Sequence, residues 1–336
     1  MERNMKQWVE NLIANEKKPS IPVLSFPCVQ LLGISVKDLI SDSSLQAKGM
    51  KAVADRVPSG AAVSLMDLSV EAECFGSTIR VSDDEVPTVI GSIVNEPEEA
   101  DALVVPEVGA ARSGLYVKAI EEAVKLIEDR PVFAGVIGPF SLAGRLMDVS
   151  EAMIYCYDEP EMVHTVMEKV TEFVINYCRA YKEVGANGVM IAEPLAGLMS
   201  PTLAREFAHP YVKQVIEAVQ DDNFAVIYHN CGDNVALMAK DIYQLGAAGY
   251  HFGDAIRLAD MLPDAPKDVL VMGNVSPSKE FRNGTPESIA KATKKVMEEC
   301  AGYPNFLISS GCDIPPMSPW ENIDAFFAAV DKEYSR

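Results

Sequence analysis

The residues of this sequence best suited to chemistry are His229 and Cys231, which close the apolar run Val226-Ile227-Tyr228. In a strand, successive side chains alternate faces, so the imidazole and the thiol project to one side and Asn230 to the other. A second apolar run over 306–310 ends in Gly311-Cys312-Asp313 ahead of Pro315-Pro316, and Cys312 supplies a third candidate ligand. One imidazole and two thiolates suit zinc, and three protein ligands with an open fourth position form the catalytic rather than the structural arrangement. Taken singly, His229 reads equally well as a hydrogen-bonded core histidine and the cysteines as small buried hydrophobes. The distant Cys312, at the end of another strand pattern, tips the reading to metal.

The elements that must position these residues follow a regular rhythm. Apolar runs at 21–26, 61–66, 131–138, 188–192, 224–228, 249–252, 269–273 and 305–310 read as strands, separated mostly by helical patterns. Alternating β and α elements imply a parallel sheet, and eight of them imply an α/β fold of the (β/α)8 TIM barrel type, one domain over residues 1–336. An open doubly wound sheet is the alternative, but no Gly-x-Gly-x-x-Gly follows the first strand to mark a dinucleotide site. Met5, Trp8, Val9, Leu12 and Ile13 have helical spacing and predict an N-terminal helix capping the bottom of the barrel. Residues 73–112 turn to Gly, Pro, Thr and Val and read as an insertion after the second strand, with 75–81 as one arm of a hairpin.

In such a barrel the chemistry collects at the C-terminal ends of the strands. Those ends carry Gln30 or Cys28, Asp67, Glu193, His229 with Cys231, Asp254, Asn274 and Cys312. The metal-type residues fall on the fifth and eighth strands, across the mouth from one another. Glu193 and Asp254 are the candidate catalytic carboxylates, either able to fill the fourth zinc position at rest; Glu193 has the alternative of accepting backbone or arginine hydrogen bonds. Gln30, Asp67 and Asn274 are candidate substrate-binding groups. His251, inside a strand pattern, reads as a core histidine, and His164 and His209 as structural.

Composition narrows the partners. With 49 acidic against 29 basic residues and a net charge of −20, the chain is not built to neutralise a nucleic-acid backbone. Seven cysteines without a framework spacing point to reduced thiols in a reducing compartment. No apolar stretch reaches the roughly 18 to 20 residues of a membrane span, and the N-terminus lacks the basic-then-apolar layout of a secretory signal. A cytoplasmic location is expected.

Several motifs then fall together: Ile191-Ala192-Glu193-Pro194, Ser200-Pro201 with Phe207-Ala208-His209-Pro210-Tyr211, His229-Asn230-Cys231-Gly232, Gly273-Asn274-Val275-Ser276-Pro277, and Ser310-Gly311-Cys312-Asp313-Ile314-Pro315-Pro316. Together they resemble the uroporphyrinogen decarboxylase superfamily, and more closely its zinc-dependent methylcobamide:coenzyme M methyltransferase branch. The resemblance implies a barrel in which His229, Cys231 and Cys312 bind zinc. It also implies a zinc-activated thiol acceptor, such as coenzyme M, that takes a methyl group from a corrinoid carried by a partner protein. The donor half-reaction, demethylation of an O- or N-methyl substrate onto the corrinoid protein, fits the same motifs. A decarboxylase-like lyase and a non-catalytic subunit binding corrinoid protein or zinc are the remaining alternatives. True decarboxylases resemble this chain in fold but carry an arginine-bearing motif after the first strand, and residues 26–33 contain no arginine. Glu193 stands where the methyltransferase pattern leads us to expect aspartate.

Overall fold

The computed structural model describes residues 3–335. Seven of the apolar runs form one parallel sheet: β1 (Ala62–Val63), β4 (Val132–Ile137), β5 (Gly188–Ala192), β6 (Ala225–Asn230), β7 (Gly249–Phe252), β8 (Leu270–Val275) and β9 (Phe306–Ser310), in that spatial order. A separate antiparallel hairpin pairs β2 (Thr78–Arg80) with β3 (Thr88–Ile90). The sheet strands are buried on both faces, as parallel strands covered by crossover helices must be. Their alternation sorts the core into two clusters. Met190, Ala192, Ala225, Ile227, Met272 and Leu307 lie in one; Val189, Ile191, Val226, Tyr228, Val271 and Ile308 lie in the other with the residues of the surrounding helices. The sheet curls around the first cluster in the manner of a TIM-like barrel. The expected N-terminal helix, Met5–Ala14, adds Met5, Val9 and Leu12 to that inner cluster, and Asn4 caps it by accepting from the Gln7 amide at 2.7 Å.

The run at 21–26 is not a regular strand. Pro22 has no N–H to give a ladder, and hydroxyls take over part of the pairing. The Ile21 amide donates to the Ile308 carbonyl at 3.2 Å, the Val23 amide to Ser310 Oγ at 2.9 Å, and Ser309 Oγ donates to the Ile21 carbonyl at 2.7 Å. On its other side the Gly60 amide donates to the Ser20 carbonyl at 2.9 Å, just before β1. This extended segment therefore bridges the two edges of the sheet. The run at 61–66 shortens to the two residues of β1. The helical segment around 256–262 is reduced to 3-10 turns at Leu258–Asp260 and Leu262–Asp264, because Pro263 and Pro266 remove the amides a longer helix would use.

The segment between β1 and the helix Ser113–Leu126 carries the hairpin and two short helices, and an ion pair closes its neck. Arg112 donates from Nη1 to Asp67 at 2.5 Å, from Nε to Glu73 at 2.6 Å and from Nη2 to Ser69 Oγ at 2.9 Å, while the Tyr116 hydroxyl donates to Asp67 at 2.7 Å. The Asp67 side chain is fully buried, so removing one partner of such a pair costs about 3–5 kcal/mol. No described helix is long and apolar enough to cross a membrane.

Glu71 lies fully buried beside this neck, accepting the Ile137 amide at 3.0 Å on Oε1 and meeting no partner on Oε2. Burial pushes its carboxyl up to about 7. The folded chain thus keeps a proton that the unfolded chain gives up near 4.5; this stabilisation is complete below the lower value and lost as the pH rises through the higher one. Glu71→Gln keeps the acceptor without the titration. Between about pH 5 and about pH 8 the variant should gain up to roughly 3 kcal/mol of unfolding free energy relative to wild type. Denaturant melts across that range check this, and a constant difference would refute it.

Candidate metal centre

The parity of β6 that turns Ala225 and Ile227 inward carries His229 inward too, at the C-terminal end of the strand where a barrel keeps its chemistry. Cys231 follows two residues on. Between them Asn230 faces the other way, where its Oδ1 accepts the Gly232 amide at 3.0 Å and its Nδ2 donates to the Tyr228 hydroxyl at 2.9 Å. This Asx-type turn fixes the chain as it leaves the sheet. Gly232 packs backbone to backbone on Gly197 of the loop after β5, and a Cβ at either position would overlap the other residue's main chain. Cys312 arrives from the end of β9, where the Gly311 amide donates to the Val275 carbonyl at 2.7 Å.

The three ligand atoms of His229, Cys231 and Cys312 lie within 4.8 Å of one another, with Cys312 Sγ 3.4 Å from His229 Nε2. Among the described residues no other group of His, Cys, Asp and Glu has such a geometry. His229 is buried and both cysteines are half-buried, so the set opens to one side. The neighbouring Cys312 lowers the Cys231 thiol, while Cys231 and burial push Cys312 up to about 12. A soft, open N/S/S donor set with one thiol already biased toward thiolate fits zinc.

The other candidate residues have definite surroundings. Asp254 is exposed on the loop after β7, beside Gly311 and near Cys231. Asn274 is buried, and its Nδ2 donates to the Gly253 and Ile256 carbonyls at 2.9 and 2.8 Å, bracing that same loop. A cleft of about 410 Å³ opens along Asp254, Asn274 and Ser276. Gln30 donates to the Pro316 and Ser318 carbonyls at 2.9 and 2.8 Å, clasping the turn that follows Cys312. Asp67 is held in the Arg112 ion pair described above. Glu193 is fully buried and accepts the Phe140 and Ser141 amides at 3.0 and 2.6 Å together with the Ser141 hydroxyl, which makes it the cap of the helix Pro139–Met147. Burial raises its carboxyl to about 7, against those same hydrogen bonds. A second cavity, about 460 Å³ between Ile13, Tyr303 and Tyr334, includes none of these residues.

Two further residues lie at the centre: His251, read from the sequence as a core histidine, and Ser309, which the sequence did not single out. His251 is paired in register with His229 on the neighbouring strand, its Nδ1 2.7 Å from His229 Nδ1, and its Nε2 is 2.8 Å from Ser309 Oγ. Burial, and then the neighbouring His229, hold its imidazole well below the ordinary histidine range. The only signal in the sequence is that both histidines occupy inward positions of successive strands.

The profile of the uroporphyrinogen decarboxylase (URO-D) family matches residues 14–333. The chain belongs to the uroporphyrinogen decarboxylase family. Within that family it is 29% identical over 265 residues to the methylcobamide:CoM methyltransferase MtbA of Methanosarcina acetivorans, covering 76% of this chain and 75% of that protein. It is 26% identical over 286 residues to the uroporphyrinogen decarboxylase of Coxiella burnetii, covering 82% of this chain and 78% of that protein. Among solved structures, a methyltransferase from Methanosarcina mazei superposes with a TM-score of 0.85 at 24% identity, covering 99% of both chains. That likeness establishes the fold of this family member and accounts for the curled parallel sheet.

The cap role of Glu193 has a direct test. Glu193→Ala strands the Phe140 and Ser141 amides in a buried place and should lower the unfolding free energy by about 1–3 kcal/mol while metal content is unchanged. Stability equal to wild type with lost metal would contradict the cap.

Proposed function

We propose that this chain is a zinc-dependent methyltransferase that moves a methyl group between a corrinoid carried by a partner protein and a thiol acceptor such as coenzyme M. The observation that carries this reading is the open His229, Cys231, Cys312 set at the strand ends. Identity alone leaves methyltransferases and decarboxylases nearly level, at 29% and 26%. The ligand set and the lack of arginine over 26–33 favour the first. A (β/α)8 barrel whose first strand is the extended segment at 21–26, with 73–112 inserted after the second, accommodates it.

What zinc supplies when bound is Lewis acidity, bringing a thiol at the open position from a pKa of about 8.5 to below neutrality. His229 Nε2 and the two cysteine sulfurs would hold the ion. Asp254 would shield the open position at rest and withdraw when the thiol arrives. Asn274 would keep the Asp254 loop in reach, and Gln30 would keep the Cys312 turn in place. Glu193 and Asp67 would act through the helix cap and the neck ion pair, positioning the walls of the mouth. In the reaction the methyl carbon exchanges its bond to cobalt for one to sulfur, which requires the two atoms in line and water kept away. Leu198 and Leu237, 51% and 70% exposed on the loops after β5 and β6, would offer apolar contact to a docking corrinoid protein. A cytoplasmic setting would keep the thiols reduced.

Cys312→Ala tests this reading. The variant should lose zinc affinity by more than the roughly tenfold to hundredfold that an outer partner is worth, and methyl transfer from methylcobalamin to a small thiol should fall to background. Zinc by elemental analysis and thioether formation are measured on the same samples. Full activity in zinc-free variant protein would exclude the mechanism.

A further inference from the structure

We propose that His251 and Ser309 fix the proton of His229 on Nδ1, so that Nε2 faces Cys231 and Cys312 as a bare lone pair ready for a metal. The inference rests on the metal reading above. It follows from counting hydrogens along a buried chain of four groups. Ser309 Oγ donates its single hydrogen to the Ile21 carbonyl at 2.7 Å. A hydroxyl has no second hydrogen to give, so toward His251 Nε2, 2.8 Å away, Oγ is the acceptor and Nε2 carries the proton. His251 is completely buried, and its side-chain partners are His229 and Ser309, with no carboxylate among them. A cation there would lack a counter-charge, so the ring is neutral and its Nδ1 is bare. His229 Nδ1 lies 2.7 Å from that bare nitrogen and must be the donor. The lone pair of His229 is then left on Nε2, the atom 3.4 Å from Cys312 Sγ.

The anchor of the chain is the irregular first segment. Ile21 has a free carbonyl because the proline-bearing run at 21–26 does not form a full ladder with β9, and Ser309 fills the gap. A seam at β9 thus sets the tautomer of a ligand on β6, three strands away. His251 and Ser309 are positioning residues: they touch the ligand or its partner, not the metal.

Two measurements test this on the full chain. The first is zinc competition against a chromogenic chelator on metal-free protein. His251→Phe removes the acceptor and should weaken zinc binding about tenfold to a hundredfold. His251→Asn places an amide oxygen where Nδ1 stood and should stay within about threefold of wild type, since it still accepts from His229. Equal affinity in His251→Phe and wild type, or equal loss in both variants, would overturn the proposal. A wild-type chain that binds no zinc would instead overturn the metal reading itself. The second measurement needs no substitution. The chain has four histidines, so nitrogen-15 labelling of histidine resolves their ring nitrogens by NMR. Metal-free protein should show His229 protonated on Nδ1 and His251 on Nε2. The opposite tautomer on either ring would overturn the proposal even if the variants failed to fold.

Discussion

A strand offers only every second side chain to the inside of the sheet it belongs to, and parallel pairing fixes which residues share a level. The centre of this protein depends on that constraint. Ala192, His229, His251, Met272 and Leu307 are register partners across β5 to β9, one level around the curl. Below it the inner cluster is apolar, with Ile227, Met190 and Phe133, and plugged by the N-terminal helix. Two histidines at this level are sustainable because each finds a buried partner; an unpaired polar group there would cost on the order of 1–3 kcal/mol. A one-residue slip of β6 would put His229 among the helices and Asn230 in its place.

Around this level the loops are held by side chains that do no chemistry of their own. Gln30 clasps the turn after Cys312, Asn274 braces the loop of Asp254, Asn230 turns the chain to Cys231, and Glu193 caps the helix after β4. Gly197 and Gly232 allow two loops to touch through their backbones. Three candidate ligands separated by up to 83 residues are brought within a few ångströms by this bracing rather than by their own attraction. Such rigidity is what an open metal site requires, because three ligands held in place keep their geometry while the fourth position stays free for another donor.

Much of this was legible in the sequence where the signal is local. The His229-x-Cys231 spacing states its own geometry, and the apolar runs of β4 to β9 announce buried parallel strands. Pairings across long separations were not legible. Asp67 stood as a candidate substrate-binding group, and its ion pair was hidden because its partner Arg112 lies 45 residues away in a stretch that carries no helical or strand period. Glu193 stood both as a catalytic candidate and as an acceptor of backbone hydrogen bonds, because a strand-end carboxylate has the same appearance whether it meets a substrate or the amides of the next helix. The first strand was expected to be regular because its hydrophobic pattern is intact; Pro22 and the hydroxyls of Ser309 and Ser310 decide otherwise. His251 could be placed beside His229 only once the register of β6 and β7 was known.

The central claim is an open zinc site that takes a thiol. X-ray absorption at the zinc edge, on protein reconstituted with zinc, addresses it most directly when recorded before and after a small thiol is added. The account predicts one zinc per chain with about two sulfur neighbours, rising to about three with the thiol present. Failure to retain zinc, or a sulfur count indifferent to thiol, would contradict it.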